Sequence, residues 1–127
     1  MANHILIIDD NDAFREVLSD FFESYDFKVT QASHAVAALE ILEKQGFDCI
    51  IVDVLMPKMN GLDFAKKILS STKPTPIAII SGYTDQSNFE EIIKSPYLIG
   101  FFPKRFNETK LISEIQSKIQ SNKELSL

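Results

Sequence analysis

Chemically useful side chains follow four of the five short apolar runs in this 127-residue chain. Asp9 and Asp10 follow the first run, Asp53 follows the third, and Ser81 and Lys104 follow the fourth and fifth. Each has an ordinary structural explanation, because a carboxylate can cap a helix, a serine can start a turn and a lysine can stay in solvent. Together they indicate a site, since crowded carboxylates repel one another and need a compensating cation.

The chemistry of this set is that of hard oxygen ligands beside a nucleophile. Carboxylates without a cluster of His or Cys favour magnesium, which prefers octahedral oxygen coordination. A carboxylate next to that ion can attack phosphorus and form an aspartyl phosphate. The metal and Lys104 would neutralise charge on the transferred group, and the Ser81 hydroxyl would bind one of its oxygens.

The apolar runs that must position these residues alternate with helical periodicity, which is typical of an α/β domain with a parallel sheet. The predicted strands are residues 4–9, 27–31, 47–53, 77–80 and 98–102. Because Cys49 to Val52 show no polar alternation, the third strand is expected at the centre of the sheet, covered on both faces. Right-handed crossovers then bring all carboxyl ends of the strands to one edge, where the site is expected.

Apolar residues at helical spacing predict five helices between and after these strands. Their apolar positions span residues 14–22, 36–42, 62–69, 89–93 and 111–119. Asn11 or Asp10 can cap the first helix, and Ser33 can cap the second, which Gly46 ends. The fourth helix is short, with Phe89, Ile92 and Ile93 as its apolar residues and Pro96 after it.

Composition bounds the class of protein. The chain has 13 Lys and Arg against 18 Asp and Glu, a formal net charge of −5, which argues against direct nucleic-acid binding. Its longest stretches without a charged residue are 11 residues, too short to cross a bilayer, and no signal peptide is found, so a cytoplasmic location is expected. The single cysteine, Cys49, is expected to be a buried hydrophobe. One domain over residues 1–120 is predicted, with 121–127 as a polar tail or linker.

Four motifs resemble the receiver domain of two-component response regulators. They are Ile-Ile-Asp-Asp at 7–10, Asp53 followed by Met56, Pro57 and Gly61, the pair Ser81-Gly82, and Lys104 with Phe106. The resemblance covers essentially the whole chain. It implies a flavodoxin-like, doubly wound (βα)5 sandwich with a parallel sheet in the order 2-1-3-4-5.

The resemblance also implies roles for individual residues. Asp53 is the expected phosphoacceptor, Ser81 the switch hydroxyl and Phe101 the switch aromatic, for which a simple core position is the alternative. Asp10, Asp53 and the backbone carbonyl of Leu55 are expected to bind Mg²⁺, with Asp9 helping through water. Water that hydrolyses the phosphoryl group would pass Leu55 and Tyr83. Neither side chain orients water as an acid or amide does, so a persistent phosphoryl state is expected.

The implied partners belong to a phosphorelay. A sensor histidine kinase or phosphotransfer protein would donate the phosphoryl group, and the domain would assist its own phosphorylation and dephosphorylation as a signalling module rather than an enzyme. The face of helix four, strand five and helix five is expected to bind a downstream effector or a second copy of the domain. Helix four is the expected moving part, because few apolar residues anchor it.

One departure and two alternatives accompany this interpretation. The family usually has Lys-Pro with a cis bond after strand five, whereas this chain reads Pro103-Lys104-Arg105. A receiver-shaped interaction module that does not use phosphate is one alternative. A magnesium-dependent phosphatase of the haloacid-dehalogenase type is the other; that family has Asp-x-Asp after its first strand, whereas here Asp9 and Asp10 are adjacent and Asp53 is followed by Val54-Leu55. The four glycines form no phosphate-binding loop. His4 and His34 are expected to be solvated surface residues rather than phosphodonors.

Overall fold

The computed structural model describes residues 3–53, 61–81 and 90–125. Strands and helices alternate throughout. The elements are β1 (His4–Ile8), α1 (Asp12–Glu23), β2 (Lys28–Ala32), α2 (Ala35–Lys44), β3 (Cys49–Val52), α3 (Gly61–Leu69), β4 (Ile77–Ser81), α4 (Glu90–Ile93), β5 (Leu98–Pro103) and α5 (Glu108–Leu125).

The five strands form one parallel sheet in the order β2-β1-β3-β4-β5. The predicted fold class and strand order are therefore confirmed. β3 is the middle strand and all four of its residues are buried, as its unbroken apolar run predicted. Cys49 is also buried, as expected, and burial raises the pKa of its thiol far above the usual range.

Alternate residues of the central strands belong to two separate cores, because successive side chains of a strand point to opposite faces. Leu6 and Ile8 pack with residues of α2, α3 and α4, including Phe64. Ile5 and Ile7 pack on the other face with residues of α1 and α5. This two-sided cover explains why residues 5–8 of β1 and all of β3 are apolar.

The predicted strand bounds differ from the observed ones by at most two residues, but one prediction about a helix cap is wrong. α2 is capped by His34 and not by Ser33, since the His34 Nδ1 atom accepts a hydrogen bond of 3.1 Å from the Ala37 N–H. α5 continues through Leu125, into the segment that its polar composition assigned to a tail. A polar helix can extend beyond the core when its side chains find local partners, and Lys123 Nζ donates to Asn3 Oδ1 at 2.6 Å.

The two histidines are structural. His4 Nε2 lies 2.6 Å from Thr30 Oγ1, and the His4 ring packs on Phe47 with centroids 4.4 Å apart. Both His4 and His34 are half-buried, so the expectation that they are solvated surface residues is wrong. Among the helices that the structure describes, none has both the length and the apolar composition required to cross a membrane.

Candidate functional site

Asp9 and Asp53 lie side by side at the carboxyl edge of the sheet. β1 and β3 are neighbours in register, with Ile8 opposite Val52, so the next residue of each strand falls at the same level. The Asp53 N–H donates to the Ile8 carbonyl at 3.0 Å, which continues the strand pairing up to the site. Both carboxylates are buried, with 3% and 5% of their side-chain surfaces exposed.

Asp10 completes a cluster of three carboxylates. One ligand oxygen from each of Asp9, Asp10 and Asp53 lies within 4.8 Å of the others. Asp10 is exposed while the other two are buried. The cluster therefore opens to solvent on the side of Asp10, where an ion can enter.

Lys104 supplies the positive charge that contacts this cluster. Its Nζ atom lies 3.2 Å from Asp9 Oδ2 and 3.2 Å from Asp53 Oδ2, and 30% of its side chain is exposed. Burial alone would lower the pKa of Lys104, but hydrogen bonding to Asp53 and the charges of Asp53 and Asp9 outweigh that effect and raise it. The ammonium is therefore held firmly in its charged form.

The pKa of Asp9 shows that one lysine does not satisfy the cluster. Burial raises the pKa of Asp9, and the neighbouring charge of Asp53 raises it further. The Asn11 N–H, which donates to Asp9 Oδ1 at 2.8 Å, and Lys104 act in the opposite direction without cancelling the rise. A site of oxygen ligands with excess negative charge suits a hard divalent cation such as Mg²⁺.

The start of α1 holds the site through several contacts, of which the sequence predicted only the cap by Asn11. Asn11 caps α1, its Oδ1 accepting from the Phe14 N–H at 2.9 Å. The face of the Phe14 ring receives Lys104 Nζ, 4.8 Å from the ring centroid. Arg15 Nη1 donates to the Asp9 carbonyl at 2.7 Å. Helical periodicity marked Phe14 only as a core residue, and nothing in the sequence indicated the contact of Arg15.

The remaining predicted residues lie on or beyond neighbouring strands. Ser81 is buried as the last residue of β4 and pairs with Pro103, the residue before Lys104. Phe101 is half-buried and packs against the core on the side of α2, α3 and α4. The predictions for Leu55 and Tyr83, and the motif residues Met56, Pro57 and Gly82, fall outside the described residues.

The missing proline after Lys104 does not displace the lysine from the carboxylates. The bond between Lys104 and Arg105 is trans. Lys104 nevertheless contacts both buried aspartates. Its side chain is therefore held by contacts within the site, without a proline after it.

Residues 5–116 match the response regulator receiver domain. The transcriptional regulatory protein FixJ of Bradyrhizobium diazoefficiens is 33% identical over 92% of this chain and 57% of its own length. The response regulator protein TmoT of Ectopseudomonas mendocina is 35% identical over 91% of this chain and 52% of its own length. The chain thus spans a little over half the length of these curated relatives.

Solved structures agree with this match. The chemotaxis response regulator CheY4 of Vibrio cholerae has a TM-score of 0.78 and 27% identity, covering 93% of this chain and 99% of that one. A CheY-like receiver domain from Methanospirillum hungatei has a TM-score of 0.88 at 21% identity over 98% of both chains, a likeness of fold. Receiver domains of this kind act in phosphorylation-dependent signalling. The chain belongs to the response regulator receiver domain family of two-component systems.

Proposed function

We propose that Asp53 accepts a phosphoryl group from a phosphohistidine on a sensor histidine kinase or phosphotransfer protein. The observation that carries this proposal is the buried Asp53 carboxylate, which contacts the Lys104 ammonium and has an oxygen within 4.8 Å of carboxylate oxygens of Asp9 and Asp10. A carboxylate in such a site can act as a nucleophile toward phosphorus, because cations nearby offset the charge that builds up as it attacks.

In the transfer, an Asp53 carboxylate oxygen forms a bond to phosphorus while the bond from phosphorus to the donor imidazole nitrogen breaks. The nitrogen keeps the electron pair of that bond. Lys104 neutralises charge on the oxygens of the transferred group, and the Ser81 hydroxyl donates a hydrogen bond to one of them. The burial of Asp53 and Ser81 supports these roles, because few water molecules compete for the same contacts.

The residues fit a bound Mg²⁺ ion. Three carboxylates offer oxygens within 4.8 Å of one another, and the lysine that contacts two of them leaves a net negative charge. We assign direct ligation to Asp10 and Asp53 and a water-mediated contact to Asp9, with the Leu55 carbonyl as a further ligand that lies outside the described residues. When bound, the ion supplies positive charge at the phosphoryl oxygens.

The proposed output surface is the face of α4, β5 and α5. After phosphorylation, Ser81 is drawn toward the new oxygens and Phe101 turns into the space that it leaves. α4 is the moving part, because few apolar side chains of its described residues anchor it: Ile92 is buried, while Ile93 is half-exposed. The face then binds an effector protein or domain, or a second copy of this domain.

This route is tested by amide chemical shifts recorded with and without beryllofluoride, a mimic of the phosphoryl group. Large changes at Phe101 and along α4 are expected. Changes confined to the surroundings of Asp53 would contradict the route.

The lifetime of the phosphoryl group is the second measurable property. Leu55 and Tyr83 offer no acid or amide to orient an attacking water, so slow loss of phosphate is expected. Leu55→Asn should shorten the lifetime. Equal decay in the variant and the parent would refute the role given to this position.

The central experiment is the intact mass after incubation with Mg²⁺ and acetyl phosphate. The parent should gain one phosphoryl group, and Asp53→Asn should gain none. Asp20→Asn removes an exposed carboxylate of α1 and is the matched control, which should behave as the parent does. Asp10→Ala should weaken Mg²⁺ binding and phosphorylation together, since it removes an anionic ligand. Phosphorylation of Asp53→Asn at the parent's rate and level would refute the assignment.

Partner binding and phosphate release, measured for the parent and for Asp53→Asn, separate the alternatives. An interaction module that works without phosphate would bind its partner equally well in the parent and in Asp53→Asn. A phosphatase of the haloacid-dehalogenase type would release phosphate from a monoester continuously, with Asp53 as nucleophile. The match to the receiver family over residues 5–116 favours the phosphoacceptor over both.

A further inference from the structure

We propose that Phe14 is a positioning residue for phosphoryl transfer, whose ring face holds the Lys104 ammonium against Asp9 and Asp53. This inference rests on the proposed function of Asp53 as phosphoacceptor and adds a residue to that site. Phe14 touches neither the phosphoacceptor nor a ligand oxygen in the contacts described above. It acts through the lysine.

The geometry is that of a cation–π interaction. Lys104 Nζ lies 4.8 Å from the centroid of the Phe14 ring, inside the limit of about 6 Å for this attraction. The same atom lies 3.2 Å from each of the two buried carboxylates. The ammonium thus contacts two anions and the negative face of one ring.

Lys104 needs such a restraint because its side chain is long, flexible and 30% exposed. A lysine with these properties can leave a site for solvent, and water weakens its contact with the carboxylates. Arg105, which follows it, has no ring that fixes the backbone, and the bond between them is trans. A partner for the ammonium on the ring face reduces the number of positions that the side chain can adopt.

The Phe14 ring is itself fixed to the site by the cap of α1. Asp9 Oδ1 accepts from the Asn11 N–H at 2.8 Å, and Asn11 Oδ1 accepts from the Phe14 N–H at 2.9 Å. Lys104, which contacts the Phe14 ring, also contacts Asp9 Oδ2, so that these contacts form a closed chain. The first turn of α1 therefore sets the position of a carboxylate and of the ring that faces the lysine, so that Lys104 is held relative to Asp9 by two independent routes.

The test replaces Phe14 with phenylalanine carrying one, two or three fluorine atoms. Fluorine withdraws electron density from the ring face and weakens the cation–π attraction while the shape of the ring changes little. The rate of phosphorylation by acetyl phosphate at saturating Mg²⁺ should fall steadily with each fluorine, to roughly three- to tenfold below the parent for the trifluoro ring. Mg²⁺ affinity should stay within about twofold, because the ring is not a ligand.

Phe21 provides the matched control. It lies on the same helix and packs against the rings of Phe22, Tyr25 and Phe106. The same fluorine series at Phe21 should leave the rate unchanged. Phe14→Tyr should retain most of the rate, and Phe14→Leu, which keeps an apolar side chain without a π face, should lose it as the trifluoro ring does.

The outcomes separate this inference from the proposed function. If the parent takes up no phosphoryl group on Asp53, the proposed function fails. If Asp53 is phosphorylated but the rate is flat or rises across the Phe14 series, the positioning role of Phe14 is wrong. A parallel loss of rate and Mg²⁺ affinity, or an equal loss in the Phe21 series, would identify a packing defect and also overturn the inference.

Discussion

The two edges of the sheet carry polar residues under opposite conditions. At the carboxyl edge, the buried carboxylates of Asp9 and Asp53 share the single ammonium of Lys104. At the amino edge, the carboxylate of Asp48 accepts one hydrogen bond of 2.8 Å from the backbone N–H of His4. Two carboxylates thus contact one ammonium at the carboxyl edge, whereas one carboxylate accepts one backbone hydrogen bond at the amino edge.

The crowding of negative charge at the carboxyl edge indicates that this edge is the one suited to bind a ligand. Burial and the charge of Asp53 raise the pKa of Asp9, so keeping Asp9 ionised costs folding free energy. Such a cost persists where a site must attract a cation, because a neutral site would attract the ion less strongly. At the amino edge, the hydrogen bond between His4 and Asp48 stabilises the fold.

The largest expected effect is that of Lys104→Met. This change removes the ammonium that contacts both Asp9 and Asp53, so the free energy of unfolding should fall by about 2–3 kcal/mol in the absence of Mg²⁺. Urea unfolding measures this value. Added Mg²⁺ should restore most of it, because the ion supplies the missing charge. Lys67→Met removes an exposed lysine of α3 and should change little. An equal loss of stability in Lys104→Met and Lys67→Met would contradict a special role of the ammonium at the carboxyl edge.

The same substitution made at each edge should have opposite effects. Asp9→Asn relieves a buried charge while its side-chain oxygen can still accept from the Asn11 N–H, so we expect a gain of about 1 kcal/mol without Mg²⁺. Asp48→Asn turns a charge-assisted hydrogen bond into a neutral one and should cost about 0.5–1 kcal/mol. Thermal or urea unfolding of both variants is the measurement, and losses of stability in both would contradict the comparison.

The amino edge should also respond to pH through His4. Burial lowers the pKa of His4, the charge of Lys28 lowers it further, and Asp48 only partly opposes them. As pH falls through about 6.5, the unfolded chain takes up the proton first, so stability should decline until the lower folded pKa is reached.

This decline is best measured as the urea midpoint between about pH 7.5 and 5.5 in the Asp9→Asn background. There the raised pKa of Asp9 cannot contribute, which matters because its protonation stabilises the native state as pH falls. His4→Gln should flatten the curve. A slope that survives this substitution would assign the effect to another group.

A comparably small effect is expected away from both edges, at Ser19. Its hydroxyl is buried in α1, and the structure shows no hydrogen-bond partner for it among the described residues. Ser19→Ala should raise the free energy of unfolding by about 0.5–1 kcal/mol, since it removes an unpaired polar group. A loss of stability would mean that the hydroxyl forms a hydrogen bond in the folded protein, and would contradict this prediction.

The architecture was predictable because two periodicities in the sequence agree with it. Strands without polar alternation and helices with apolar stripes specify a sheet covered on both faces, and the order of charged residues after the strands places Asp9, Asp53 and Lys104 at one edge. These three residues were found together, as their strand positions predicted. Their roles in phosphoryl transfer stay predictions.

The contacts that fix the site were not predictable in the same way. Phe14 follows the helical spacing of a core residue, and its place against Lys104 depends on how α1 meets the end of β5. Arg15 donates hydrogen bonds to Asp9, directly after β1, and to Gln31 of β2, from a helix position that the sequence marks only as polar. The cap by His34 was missed for a similar reason, because histidine is an uncommon cap and the neighbouring Ser33 has the stronger propensity.

The register of β1 has a consequence for folding. β1 pairs with β2 on one side and with β3 on the other, and the contact between His4 and Asp48 joins residues 44 positions apart. During synthesis, the four aliphatic residues of β1 therefore keep one unpaired side until the ribosome has released β3. Closing so long a loop slows the completion of the sheet center, and the interval exposes a strand edge on which nascent chains can associate.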